Sequence, residues 1–277
     1  MNVGDSSFAR RAWAVFWDAF GHFNADDGWA MASHVALSAL MALFPFLIFV
    51  AAFAGTLGEE SLANRVAEIV FAAWPVEVAN PIAAEVRRVL VPIHGNLLTI
   101  SAVVALYLAS NGVEAARTAL NRAYRVVDRR SIIFRRVQSL AFVLIGTVVF
   151  LLLAGGGLLT ASMPALERLA APLALLGAGV TSLLIILGLL GAHLWLPAGR
   201  PAARHLWPGV LATLVAWLVS AWVFAIYLRT FADYAATYAG LAGVVTAMFF
   251  LYVVAVLMIF GAEFNAALGR LRDGRIG

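Results

Sequence analysis

Leu241-Ala-Gly-Val-Val-Thr-Ala-Met-Phe-Phe-Leu-Tyr-Val-Val-Ala-Val-Leu-Met-Ile-Phe-Gly-Ala262 is the stretch that decides the fold. It carries no charge until Glu263 and no polar stripe that could face water. A helix of about 20 mostly apolar residues crosses about 30 Å of hydrocarbon, so this segment reads as a membrane span. Five earlier segments read the same way: Trp29–Gly55, Leu97–Ala116, Ser139–Thr160, Pro172–Leu196 and Trp207–Leu228. The second is the most polar, because Ser110, Asn111 and Glu114 follow the apolar run that ends at Ala109. Only Pro197-Ala-Gly-Arg-Pro201 separates the fourth from the fifth. The expected fold is all-α: a polytopic membrane protein with six transmembrane helices, over residues 29–265.

Composition agrees. Of 277 residues, 63% are hydrophobic and 12% charged, and mean hydropathy is +0.93. Soluble domains are about 45–50% apolar and about 25% charged. A soluble enzyme and a disordered chain are both excluded. All 19 basic residues are Arg, which excludes chemistry that needs a lysine amine. There is no Cys, hence no disulfide, thiolate nucleophile or Cys-bound zinc. The net charge of +4 and pI of about 10 do not imply a nucleic-acid partner, because the arginines flank hydrophobic spans.

Their placement sets the orientation. Fourteen fall on one side: Arg10 and Arg11, the seven from Arg117 to Arg136, Arg200 and Arg204, and the three from Arg270 to Arg275. Arg65, Arg87, Arg88, Arg168 and Arg229 fall on the other. By the positive-inside rule both termini are expected to be cytoplasmic.

Outside the spans, residues 1–28 are expected to form a cytoplasmic amphipathic helix. Phe8, Trp13, Phe16, Trp17 and Phe20 share one face of it. That face either lies in the headgroup layer or packs on the bundle. The loop 56–96 carries two apolar stripes punctuated by Pro75, Pro81 and Pro92, expected as amphipathic helices on the outer face. Residues 266–277 form an Arg-containing cytoplasmic tail. Small residues suited to helix contact recur at Gly155–Gly157, Gly177 with Gly179, Gly188 with Gly191, and Ala239 with Gly243.

Polar groups within a membrane are costly and mark function by default. His34 and Ser38 in span 1, Asn111, Glu114, Arg117 and Asn121 at the end of span 2, His193 in span 4, and Glu263 and Asn265 at the end of span 6 reach a similar depth. They are candidates for a cytoplasm-facing polar cavity; the alternative for each is a local bond, such as Glu114 with Arg117. Glu263, Asn265, Asn111, Glu114 and Arg117 are expected to meet where spans 2 and 6 end. Pro45 removes a backbone donor and is a candidate kink. Tyr227, Arg229, Asp233 and Tyr238 form a candidate outer cluster. There is no His-Glu-x-x-His, phosphate loop or Gly-x-Ser-x-Gly, and the five histidines are scattered. No catalytic residue, metal or cofactor is expected.

Three stretches give the chain a family resemblance. They are Ala32-Ser-His-Val-Ala-Leu-Ser38 through Leu43-Phe-Pro-Phe46; Ser110-Asn-Gly112 with Ala119-Leu-Asn-Arg-Ala-Tyr124; and Tyr238-Ala-Gly-Leu-Ala-Gly243 with Phe250-Leu-Tyr252 and Gly261-Ala-Glu-Phe-Asn265. Over about residues 15–270 the sequence resembles the YihY/BrkB family of bacterial inner-membrane proteins, formerly catalogued as ribonuclease BN. It departs from the family in reading Tyr238-Ala-Gly-Leu241 for Tyr-Gly-x-Leu, and Phe250 for a frequent Trp. The resemblance implies six spans and an envelope role, such as moving a lipid or another envelope component. The composition speaks against the ribonuclease label. Three readings stand in order: a transporter or lipid-translocating protein, a non-transporting scaffold in envelope assembly, and, third, a membrane enzyme. The expected partners are membrane lipids and an envelope-component substrate.

Overall fold

The computed structural model describes residues 3–56, 95–162, 170–199, 202–230 and 241–276. Among these there are seven α-helices and no strand. They are α1 (Val3–Ala25), α2 (Gly28–Thr56), α3 (Gly95–Ala123), α4 (Ile132–Ser162), α5 (Ala170–Trp195), α6 (Trp207–Thr230) and α7 (Leu241–Arg272), with a 3-10 turn at Ala203–His205. The all-α membrane class holds.

Helices α2 to α7 contain 24 to 32 residues. At 1.5 Å per residue even the shortest reaches about 36 Å, enough to span. Four of them are also apolar enough, over Ile132–Val149, Leu175–Trp195, Trp207–Tyr227 and Val244–Arg272. Helix α2 is apolar over Gly28–Leu43. Helix α3 is long enough to span but polar in its second half, as its sequence foretold. Helix α2 stays helical through Pro45, and α4 through Gly155–Gly157.

Helix α2 lies along α3 in the most extensive contact of the fold, and α7 packs on α2, α6, α1 and α3. With little hydrophobic drive between helices in lipid, close packing of small residues holds such a bundle. Ala32, Ala119 and Ala255 accordingly form a buried core with Phe23 and Ile259. At Gly112 a Cβ would sit 3.7 Å from Ser38 Cβ, so Ser38 faces α3. The tightest crossing joins α6 to α7. A Cβ on Gly209 would strike the Gly261 carbonyl, and one on Gly261 would strike Thr213 Oγ1. Sequence spacing had pointed instead to glycines such as Gly177, Gly179 and Gly188, around which a Cβ would find open space. These lie on turns of α5 that face away from the described bundle.

Helix α1 uses two stripes at once. Val15 and Ala19 are buried against Ala267, Phe264 and Leu271 of α7. Trp13, Phe16 and Trp17 remain largely exposed on a neighbouring stripe. Phe16 also meets Phe260 of α7, with ring centroids 5.7 Å apart, so the edge of the aromatic face joins the docking while Trp13 and Trp17 stay outside it. The expected tail from 266 begins as an unbroken continuation of α7 to Arg272.

Contacts described below gather the C-termini of α1, α3, α5 and α7 and the N-termini of α2, α4 and α6 at one end. The helices thus alternate in direction. This is the arginine-rich end. The outer helices expected within 56–96, together with Asp233 and Tyr238, lie outside the described residues, as does the side chain of Arg229 in the last turn of α6.

Candidate functional site

Residues 111, 114 and 117 are three apart, so they form one stripe on α3, and that stripe faces the first turns of α4. Arg117 is fully buried and ion-paired with Glu114 on its own helix. It also donates to Ser139 Oγ at 2.9 Å, and Ser139 donates to Glu114 at 3.1 Å. Arg135 approaches the same carboxylate at 3.6 Å. Arg136 donates to Asn111 Oδ1 at 2.8 Å and lies 4.6 Å over the Tyr107 ring.

A second layer ties the α3–α4 loop to the end of α5. Asp128 pairs with Arg130 at 2.6 Å. Hydrogen bonds from Arg130, then its charge, hold the Asp128 carboxyl down at about 2. Arg130 in turn donates to the Leu196 carbonyl at 2.6 Å, and Gln138 donates to the Trp195 carbonyl. Asn121 accepts from the Ala198 amide at 2.8 Å and donates to Asp128 at 3.3 Å. The bonds from Arg130 and Gln138 satisfy carbonyls that the end of α5 leaves free. His193 is buried and shares a 2.7 Å hydrogen bond with the Tyr124 hydroxyl through Nδ1.

Glu263 belongs to a third group. Its side chain is 1% exposed and lies 3.6 Å from Arg125 and 3.9 Å from Arg270. Arg125 also pairs with Asp26 at 2.9 Å, and Arg270 with Asp18 at 2.6 Å. One chain of charges therefore joins α1, α3 and α7. Arg125 holds its place from a left-handed conformation, φ 55°. It closes α3 with bonds from Arg125 N to Arg122 O and from Val126 N to Asn121 O, both 2.9 Å, the Schellman pattern usually built on Gly.

Asn265 faces elsewhere. Its Oδ1 accepts from the Gly209 amide at 2.7 Å, and its Nδ2 donates to the Leu206 carbonyl at 3.0 Å. A side chain of α7 thus caps the N-terminus of α6.

The five residues expected to meet are therefore divided. Asn111, Glu114 and Arg117 meet α4, Glu263 meets α1 and the end of α3, and Asn265 meets α6. Residues two apart on a helix point about 200° apart, so Glu263 and Asn265 turn to different partners, the one to Arg125 and Arg270 and the other to the start of α6, with Tyr124 within reach of both. His34 is exposed on α2 and joins none of these groups. Arg125, Arg130, Asp128, Ser139, Tyr124 and Asp26 complete the networks and were not singled out from sequence. The signal that could have found them is the density of arginines around 117–136, in which no single position stands out.

At the opposite end, α6 and α7 line a cleft of about 640 Å³. It is lined mainly by Trp217, Val223, Phe224, Tyr227, Phe249 and Val253, and Ser220 and Thr246 also line it. Tyr227, expected in an outer cluster, stacks on Phe224 at 6.4 Å. No group of three metal-binding side chains occurs among the described residues.

Comparison with known proteins places this arrangement. The chain is 27% identical over 259 residues to a putative ribonuclease-like protein, YfkH, of Bacillus subtilis, covering 91% of this chain and 94% of that one. It is 28% identical over 281 residues to a UPF0761 membrane protein of Alteromonas mediterranea, covering 93% and 90%. No solved structure matches significantly. The family model described as virulence factor BrkB matches residues 19–276, and the chain belongs to that family of membrane proteins.

Proposed function

We infer that this chain is a lipid-translocating protein of a bacterial inner membrane, with six spans, both termini cytoplasmic and no enzymatic activity of its own. The α6–α7 cleft carries the reading. Its volume of about 640 Å³ is within the range of ligand sites, about 300–1,000 Å³, yet its walls are almost wholly apolar. A site for a soluble metabolite would need several convergent polar groups. An acyl chain needs only apolar walls, and the exposure of Val219, Val223, Val245 and Phe249 leaves the cleft open from the side.

The inner polar residues support the same function in a different role. Their hydrogen bonds and ion pairs run to one another, which suits a rigid anchor for the moving half of the bundle better than an open polar cavity. The arginine-rich end matches an anionic cytoplasmic leaflet. The scaffold reading is favoured by one observation, the exposed apolar flank of α4 at Leu144, Ile145 and Val148, which is free to meet a partner helix.

The test is reconstitution of the purified protein into liposomes holding a fluorescent phospholipid, followed by quenching from outside. Quenching beyond the outer leaflet's share supports translocation. Quenching confined to the outer leaflet, with correctly inserted protein, favours the scaffold.

A further inference from the structure

We propose that Arg136, with Arg135 beside it, binds the phosphate of an anionic phospholipid at the arginine-rich end of the α3–α4 interface. The site is one of binding, and it stands whether or not the chain moves lipid.

Charge comes first. Arg117, Arg130, Arg135 and Arg136 meet here, and Glu114 and Asp128 are the carboxylates within ion-pair reach among the described residues. Arg117 and Arg130 already hold them closely. Arg135 reaches Glu114 only at 3.6 Å, and among the described residues Arg136 has no carboxylate in range. The partners of Arg136, Asn111 and Tyr107, are both neutral. They aim its guanidinium without cancelling its charge. Buried Nε atoms of Arg117 and Arg135 also lack a hydrogen-bond partner. An excess of positive charge beside hydrocarbon is costly unless an anion meets it at that depth.

The surroundings name the anion. Ile100, Val103 and Tyr107 are exposed on the stripe of α3 that leads to Asn111, and Ile133, Val137 and Leu144 are exposed on α4 beside Arg136. An anion seated at Arg136 therefore has apolar surface running from it toward the far end of the bundle. A phospholipid uses both features: its phosphate takes bidentate bonds from guanidinium, and its acyl chain covers the stripe. A free phosphate uses only the first.

The experiment is native mass spectrometry of the full-length protein released from detergent, titrated with dioleoyl phosphatidylglycerol or dioleoyl phosphatidylcholine. The expected result is a preference of about tenfold or more for phosphatidylglycerol, the scale of one or two charge-assisted hydrogen bonds. Arg136→Gln should remove most of that preference. Arg135→Gln, which leaves the Asn111 contact intact, should reduce it several-fold and serves if the first variant fails to fold. Arg275→Gln, in the exposed tail, should bind as wild type does. Equal affinity of the wild type for both lipids overturns the proposal, as does undiminished preference in folded Arg136→Gln or Arg135→Gln. Displacement by inorganic phosphate at the affinity of the lipid assigns the site to a free anion and overturns it too.

Discussion

Replacing Asn265 by alanine removes one amide that serves two backbone groups. The side chain is 6% exposed, accepts from Gly209 N–H at 2.7 Å and donates to Leu206 C=O at 3.0 Å. Gly209 is the third residue of α6, and the first amides of a helix have no partner within it. Loss of an N-cap costs about 0.5–2 kcal/mol. A buried donor or acceptor left unmatched costs about 1–3 kcal/mol. Because these overlap, Asn265→Ala should destabilise by about 2–4 kcal/mol in total. Asn265→Asp separates the two bonds. Its carboxylate still accepts from Gly209 and suits the positive end of α6, but it cannot donate to Leu206. It should fall between wild type and alanine. Thermal unfolding in detergent gives the stabilities, and hydrogen exchange at the Gly209 amide reports the bond itself. Wild-type melting and unchanged Gly209 protection in Asn265→Ala would refute the cap.

Three further outcomes follow from the same structure. Gly261→Ala forces a methyl group into Thr213 Oγ1 and should cost about 1–3 kcal/mol, with Thr213→Ala, which removes that oxygen, a partial rescue in the double variant; wild-type melting of the single variant would mean the helices do not cross there. The Asp128 carboxyl is held at about 2, below its ordinary 3.8, so its contribution is complete above about pH 4 and lost as pH falls through 2; Asp128→Asn should flatten this part of the melting profile between pH 5 and 2, and an unaltered profile would remove Asp128 from the account. Reporters fused after Arg130 and Arg272 should stay cytoplasmic and one at Glu77 should be exported; phosphatase activity at Arg130 would contradict the six-span topology.

The helices were legible because a membrane span is a local property of composition. The run from Leu241 to Ala262 needs no partner to be recognised. Helix rotation is a different matter, since it depends on neighbours that a single sequence does not identify. The aromatic face of α1 was plain, yet the contact with α7 runs along its edge, through Val15 and Ala19 with Phe16 on Phe260, because small residues approach α7 more closely than tryptophans can. Glu263 and Asn265 stand two residues apart near the end of α7, but nearness along a helix does not give azimuth, and they bond to different elements. Helix ends divide in the same way. Gly274, with φ 69°, closes α7 in the manner usual for glycine, whereas Asp27 and Arg125 close α1 and α3 at φ 55° without glycine. For Arg125, contacts with Asp26 and Glu263 offset the cost of that conformation, and nothing local in Ala123-Tyr-Arg125 announces them.

The central claim is that lipid moves along the apolar α6–α7 cleft while the inner charges hold the bundle together. Translocation in liposomes by Val223→Trp and Glu263→Gln tests it most directly. Val223 lines the cleft, and an indole there fills the space an acyl chain needs. Glu263→Gln leaves Arg125 with Asp26 and Arg270 with Asp18, so each guanidinium keeps a carboxylate and the fold should survive. The expected result is that Val223→Trp loses most of the translocation rate at wild-type stability, while folded Glu263→Gln retains it. Full activity in Val223→Trp together with an inactive, folded Glu263→Gln would contradict the claim and return the route to the inner polar residues.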